Sequence, residues 1–141
     1  MKFDLMNKLD LKRAISPAAA ATDNTAFVSE ILDTQGYDGI MLAILTGALA
    51  DADATFTVLL EEGDAANLSD ATAVADADLN GTEALASFTF ADDNEMRKLG
   101  YVGSKRYIRA TITPAANSGN AFVAATWVLR PETAPASNPP A

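Results

Sequence analysis

Short runs of alternating apolar and polar residues, broken by turn-forming residues every ~8–12 positions, limit what this chain can fold into. The cleanest run is 55–60. Phe56, Val58 and Leu60 fall on one face, and Thr55, Thr57 and Leu59 on the other. In the run 106–113, Ile108, Ala110 and Ile112 face inward while Tyr107, Arg109, Thr111 and Thr113 face outward. Residues 26–32 and 121–130 alternate too, and the second carries the one tryptophan, Trp127. Residues 40–45 are apolar on both faces, which predicts a strand covered on both sides. Asp, Asn, Gly and Pro clusters at 33–36, 47–53, 61–64, 92–95 and 114–120 supply the turns.

Seven or eight such strands, with no helix-length segment between them, predict an all-β chain: an antiparallel β-sandwich or jelly roll. The strands at 96–102 and 106–113 flank Gly103-Ser104 and are expected to form a hairpin. Leu85, Phe88 and Phe90 predict one more short strand. Residues 65–82 fit either a short helix capped by Ser69 or Asp70, or a weak edge strand. The 141 residues suit one domain. Residues 1–24 read as an N-terminal arm, 25–130 as the sandwich, and 131–141 as a Pro-rich tail, extended or disordered because proline cannot donate a ladder hydrogen bond.

Composition narrows the chemistry. There is no cysteine and no histidine, which excludes disulfides, Cys/His zinc sites, cysteine nucleophiles, Ser-His-Asp triads and His-ligated haem. No cofactor is implied. The net charge of −9 is unevenly laid out, because no Lys or Arg occurs between positions 14 and 96. Basic residues gather at Lys2, Lys8, Lys12 and Arg13, and again at Arg97, Lys98, Lys105, Arg106 and Arg109. An acidic chain is a poor partner for nucleic acid, whose phosphates dominate affinity, or for an anionic membrane. The apolar run 39–50 is far short of the ~20 residues that span a bilayer.

Three motifs bear on chemistry. Asp76-Ala-Asp78-Leu-Asn80-Gly81 has the first half of a calcium loop, with Asp76, Asp78 and Asn80 as candidate ligands. The closing position holds Ser87 instead of a bidentate Glu, and an ordinary turn uses the same letters, so the plain turn is favoured. Asp51/Asp53 and Asp92/Asp93 could serve as paired carboxylates, but they sit in turns of an aromatic-poor chain, and solvated loop charge is the expectation. The basic and aromatic residues of 97–109 could stack on single strands. A hairpin with packed tyrosines, its cations facing water or acidic neighbours, explains them as well.

The successions D-T-Q-G-Y-D, T-G-A-L-A-D-A-D-A-T-F-T-V-L-L-E-E, A-D-L-N-G-T-E-A-L-A-S-F-T-F-A-D-D-N and, most specifically, G-Y-V-G-S-K-R-Y-I-R-A-T-I-T-P resemble a family of small virion structural proteins of tailed bacteriophages and prophages. The likeness covers residues 33 to about 113. It implies a non-enzymatic capsid decoration (cement) protein on the outer surface of the head, with the major capsid protein as partner and a symmetric trimer as the favoured state. A neck, tail or fibre-associated protein is the nearest alternative, and a carbohydrate-binding β-sandwich is the alternative of another class. The arm is the expected contact: Phe3, Leu5 and Leu9 would bury apolar area on the shell or a neighbouring copy, while Lys8, Lys12 and Arg13 meet acidic groups.

Overall fold

A computed structural model describes residues 1–133, 135, 136, 138 and 139. Among these described residues, eleven strands form two antiparallel sheets. In chain order they are β1 (Asp10–Ile15), β2 (Phe27–Val28), β3 (Leu32–Asp33), β4 (Tyr37–Leu49), β5 (Thr55–Gly63), β6 (Thr72–Ala73), β7 (Leu79–Asn80), β8 (Phe88–Thr89), β9 (Met96–Tyr101), β10 (Tyr107–Ala115) and β11 (Ala121–Pro131). One four-residue helix, α1 (Glu83–Ala86), precedes β8. No helix among the described residues is long and apolar enough to cross a membrane.

One sheet has the order β1-β11-β4-β9-β7. The other centres on β10 and β5, with β2 and β3 along one edge and β6 and β8 along the other. The pairing pattern is that of a folded-over ribbon. β1 pairs with β11, β2 and β3 with β10, β4 with β9, and β5 with β6 and β8. The ribbon then wraps so that β4 meets β11 and β5 meets β10. This is the double Greek key of a jelly roll, and it merges the short strands into the seven or eight expected from the turn spacing.

Alternation builds the core. Phe56, Val58 and Leu60 of β5, with Ile108, Ala110 and Ile112 of β10, face Leu42 and Ile44 of β4 and Val123, Ala125, Trp127 and Leu129 of β11. Phe56 and Phe88 stack with ring centroids 4.9 Å apart.

Several expectations are corrected. β9 and β10 are not a hairpin: they belong to opposite sheets, and the segment between them crosses the sandwich. Tyr101 fixes that crossing, because its hydroxyl accepts the Lys105 N–H at 3.0 Å. A Cβ at Gly103 would lie 2.6 Å from the Tyr101 ring, so only glycine fits there. Leu85 lies in α1, not on a strand. Thr82 caps that helix by accepting the Leu85 N–H, and Glu83 reaches back to accept the Leu60 N–H at 2.7 Å. Asp70 caps no helix; its carboxylate closes a turn by accepting the Asp64 and Ala65 N–H groups. Glu61 and Glu62 remain in β5.

The ends differ as well. Residues 10–15 of the expected arm are the edge strand β1, with Ala14 and Ile15 buried. Residues 1–9 lie outside both sheets, and of 16–24 Ala21 is tied to Ala121 by an isolated bridge. Pro131 ends β11, and Glu132 still donates to the Gly36 carbonyl at 2.9 Å, so the tail begins later than expected. Of that tail, residues 134, 137, 140 and 141 lie outside the described residues.

Candidate functional site

The arm is tied to the rest of the chain at its root, while the side chains of its tip are exposed. Lys8 and Leu9 donate to the Leu5 carbonyl, Asp4 accepts from Asn7, and Ala136 of the tail donates to the Asn7 carbonyl at 2.9 Å. These bonds hold the root at residues 5–9. They leave the side chains uncovered: Phe3 is 93% exposed, Leu5 64% and Met6 63%. Of the six expected contact residues, Phe3, Leu5 and Lys8 face solvent and Leu9 is half-buried. Lys12 and Arg13 belong to the sandwich instead. Lys12 stands 5.3 Å from the Tyr37 ring centre, and Arg13 pairs with Glu30 at 2.9 Å.

Next to the arm lies a second uncovered apolar surface, the outer face of the five-stranded sheet. The register aligns Leu11, Val128, Met41 and Gly100 in one row and Arg13, Thr126, Ala43 and Lys98 in the next. A third holds Ala124, Leu45 and Met96. Phe122 follows beside Gly47. Met96 is 60% exposed and Leu45 48%. The outward face of an antiparallel sheet is ordinarily polar. Here β4 carries apolar residues on both faces, as its sequence indicates, but the second sheet covers only one of them. A cleft of about 640 Å³ opens along this face, between β9 and α1, lined by Met41, Leu85, Met96 and Lys98.

The basic cluster of 97–109 is not a free patch. Arg97 pairs with Asp92 and Glu95, Lys105 with Asp64, Arg106 with Asp33, and Arg109 with Glu61. Arg106 grips Asp33 through two bonds and holds that carboxyl below the ordinary range. Among the described residues, Lys98 is the member of the cluster with no ion pair.

The carboxylate pairs are engaged too. Asp51 accepts the Ser118 N–H at 2.6 Å and its hydroxyl at 2.7 Å, which holds its carboxyl low. Asp93 accepts the Leu49 N–H, and Asp92 accepts the Thr89 N–H. These acids staple loops. Asp76 and Asp78 occupy one turn of 3-10 helix and Asn80 sits on β7. No group of three acidic side chains among the described residues is placed to hold a metal. The extended backbone from Leu79 replaces the continuous ligand-bearing loop that calcium needs.

Two tyrosines close one end of the sandwich over buried acids. Tyr101 donates to Glu62 at 2.6 Å and Tyr37 donates to Asp10 at 2.9 Å. Burial, then the adjacent carboxylate, raises both phenols, Tyr37 to about 12. Sequence reasoning missed both pairs, since each joins residues at least 27 positions apart.

No protein-family model matches the chain, and no curated protein matches it. Among solved structures, the PBSX exported protein XepA is similar, with a TM-score of 0.53 and 14% identity over 94% of this chain. The chain spans 40% of that protein. The CBM22-1-GH10 modules of the Clostridium thermocellum endo-1,4-β-D-xylanase 10B give a TM-score of 0.45 at 11% identity, over 94% of this chain and 28% of theirs. A xylan-binding module, CBM15, gives 0.42 at 9%, over 92% and 95%. At these identities the likeness to the first is one of fold, a β-sandwich, and the weaker two carry no further argument.

Proposed function

We propose that this chain is a non-enzymatic structural protein of a bacteriophage or prophage particle. In this reading it is a decoration protein held on the outside of the head by the major capsid protein. The observation that carries the reading is the projecting apolar arm. Phe3, Leu5 and Met6 are exposed in the isolated chain, and exposed apolar clusters of this kind mark protein contacts. The sequence blocks that resemble virion structural proteins name the partner class. Burying two such side chains at about 1.5 kcal/mol each changes affinity by roughly 100-fold, and symmetric repetition over a shell multiplies modest contacts.

Co-sedimentation with purified head shells tests this. The full chain should saturate the shells. A chain lacking residues 1–9 should bind at least ~100-fold more weakly with unchanged melting, because the truncation stops short of β1. Equal binding by the truncated chain would overturn the reading.

A second reading, a carbohydrate-binding module, is favoured by the architecture, since jelly rolls serve lectin domains as well as viral capsids. Carbohydrate sites stack sugars on exposed aromatic rings. Trp127 is in the core; Phe122 is the exposed ring on the outer sheet face, with Phe90 exposed elsewhere. Saturable xylohexaose binding that is lost in Phe122→Ala would favour this reading over the first.

A further inference from the structure

We propose that the arm of one copy lies across the outer face of the five-stranded sheet of a second copy of this chain. The inference rests on reading the arm as an attachment segment, and it names the surface that receives it. Most of the large exposed apolar side chains fall in two places. One is the arm tip, with Met1, Phe3, Leu5 and Met6; the other is the sheet face and its cleft, with Leu11, Leu45, Leu85, Met96 and Phe122. One surface projects and the other is flat with a groove. They are continuous through β1, since the arm enters that strand at Asp10 and Leu11 already belongs to the face.

Area and charge both select the arm as occupant over a bare sheet-to-sheet pair. Four strands at ~4.8 Å and about seven residues at ~3.3 Å give a footprint of roughly 450 Å². A stable interface needs about 800 Å² from each partner, so the face alone falls short and reciprocal arms make up the difference. Six extended residues reach ~20 Å, about the width of those four strands. The outward positions of the face carry two cations in one row, Arg13 and Lys98, and no acid. Glu30 already neutralises Arg13, so two such faces packed together would leave Lys98 buried without a partner. The arm tip carries Lys2 and Asp4 instead, and in the proposed pairing Asp4, which bonds Asn7 in the isolated chain, turns to the unpaired Lys98.

Sedimentation equilibrium on the purified chain, with no shell present, tests this separately from head binding. The full chain should associate reversibly with concentration. A chain lacking residues 1–9 and the face variant Leu45→Asp should each be monomeric alone, with circular dichroism and melting showing both folded. Leu45 is solvent-facing, so the substitution leaves the core intact. Mixed together, the two should form a one-to-one complex weaker than the full chain's own, because one supplies the face, the other the arm, and only one arm is engaged. Three results would overturn the proposal: a full chain that stays monomeric, which would mean the arm folds onto its own sheet or serves only the shell; a truncated chain that still self-associates; or a mixture that does not complement.

Discussion

Tyr101 shows how much one side chain can fix. Its ring forbids a Cβ at position 103, its hydroxyl takes the Lys105 amide, and it satisfies the buried Glu62. Gly103→Ala should therefore destabilise by about 1–3 kcal/mol, the usual cost of overpacking, measured by urea denaturation. Tyr101→Phe should cost a similar ~1–3 kcal/mol, because it leaves a buried carboxylate unpaired. The phenols also set an alkaline limit. Tyr37 titrates near 12 in the fold against 10 ordinarily, so the folded state favours its protonated form. That contribution is complete below about pH 10 and is lost as pH climbs toward 12. Thermal melting should drop across this window, and Tyr37→Phe should make the drop shallower. An unchanged slope would remove Tyr37 from the account.

At the scale of elements, local alternation was a reliable guide for β5 and β10. Residues 55–60 and 107–113 read correctly because period-2 patterning records which side meets the core. The hairpin expected around Gly103-Ser104 fails for a physical reason. Two alternating runs joined by a glycine look the same whether they pair or cross between sheets, and the Tyr101 contact that decides it is not periodic. Short α1 was hidden because Leu85 and Phe88 share an apolar spacing that fits a strand as well as a capped turn. The arm boundary slipped because 10–15 is an edge strand with Asp10 and Lys12 on its inward side and Leu11 on its outward side, the reverse of the alternation that marks a half-buried strand. At the candidate site, the arm tip was legible as an apolar segment outside the strand pattern. The sheet face was half legible: the two-sided apolarity of β4 announced cover on both sides, while the rows joining Leu11, Met41 and Val128 exist only once the register is known. Calcium offers a check at this scale too. The 3-10 turn at Asp76 should leave melting unmoved by millimolar Ca²⁺, and a clear upward shift would restore a metal role to Asp76, Asp78 and Asn80.

For the whole molecule, the acidic net charge conceals a sorted surface. Most cations are neutralised in pairs that tie strands and loops together, as Arg106–Asp33 and Arg130–Asp38 do. Beside the surplus acids, two apolar surfaces stay open: a projecting arm and an uncovered sheet. In the proposed reading those two surfaces pack against other protein, and the assembled chain would be more stable than the lone one by the linkage of folding to binding. The most direct measurement is the co-sedimentation of the full and truncated chains with purified head shells, run beside xylohexaose titration of the full chain. The account predicts saturable shell binding that depends on residues 1–9, and no sugar binding. Binding to xylohexaose, with shells left bare, would contradict it.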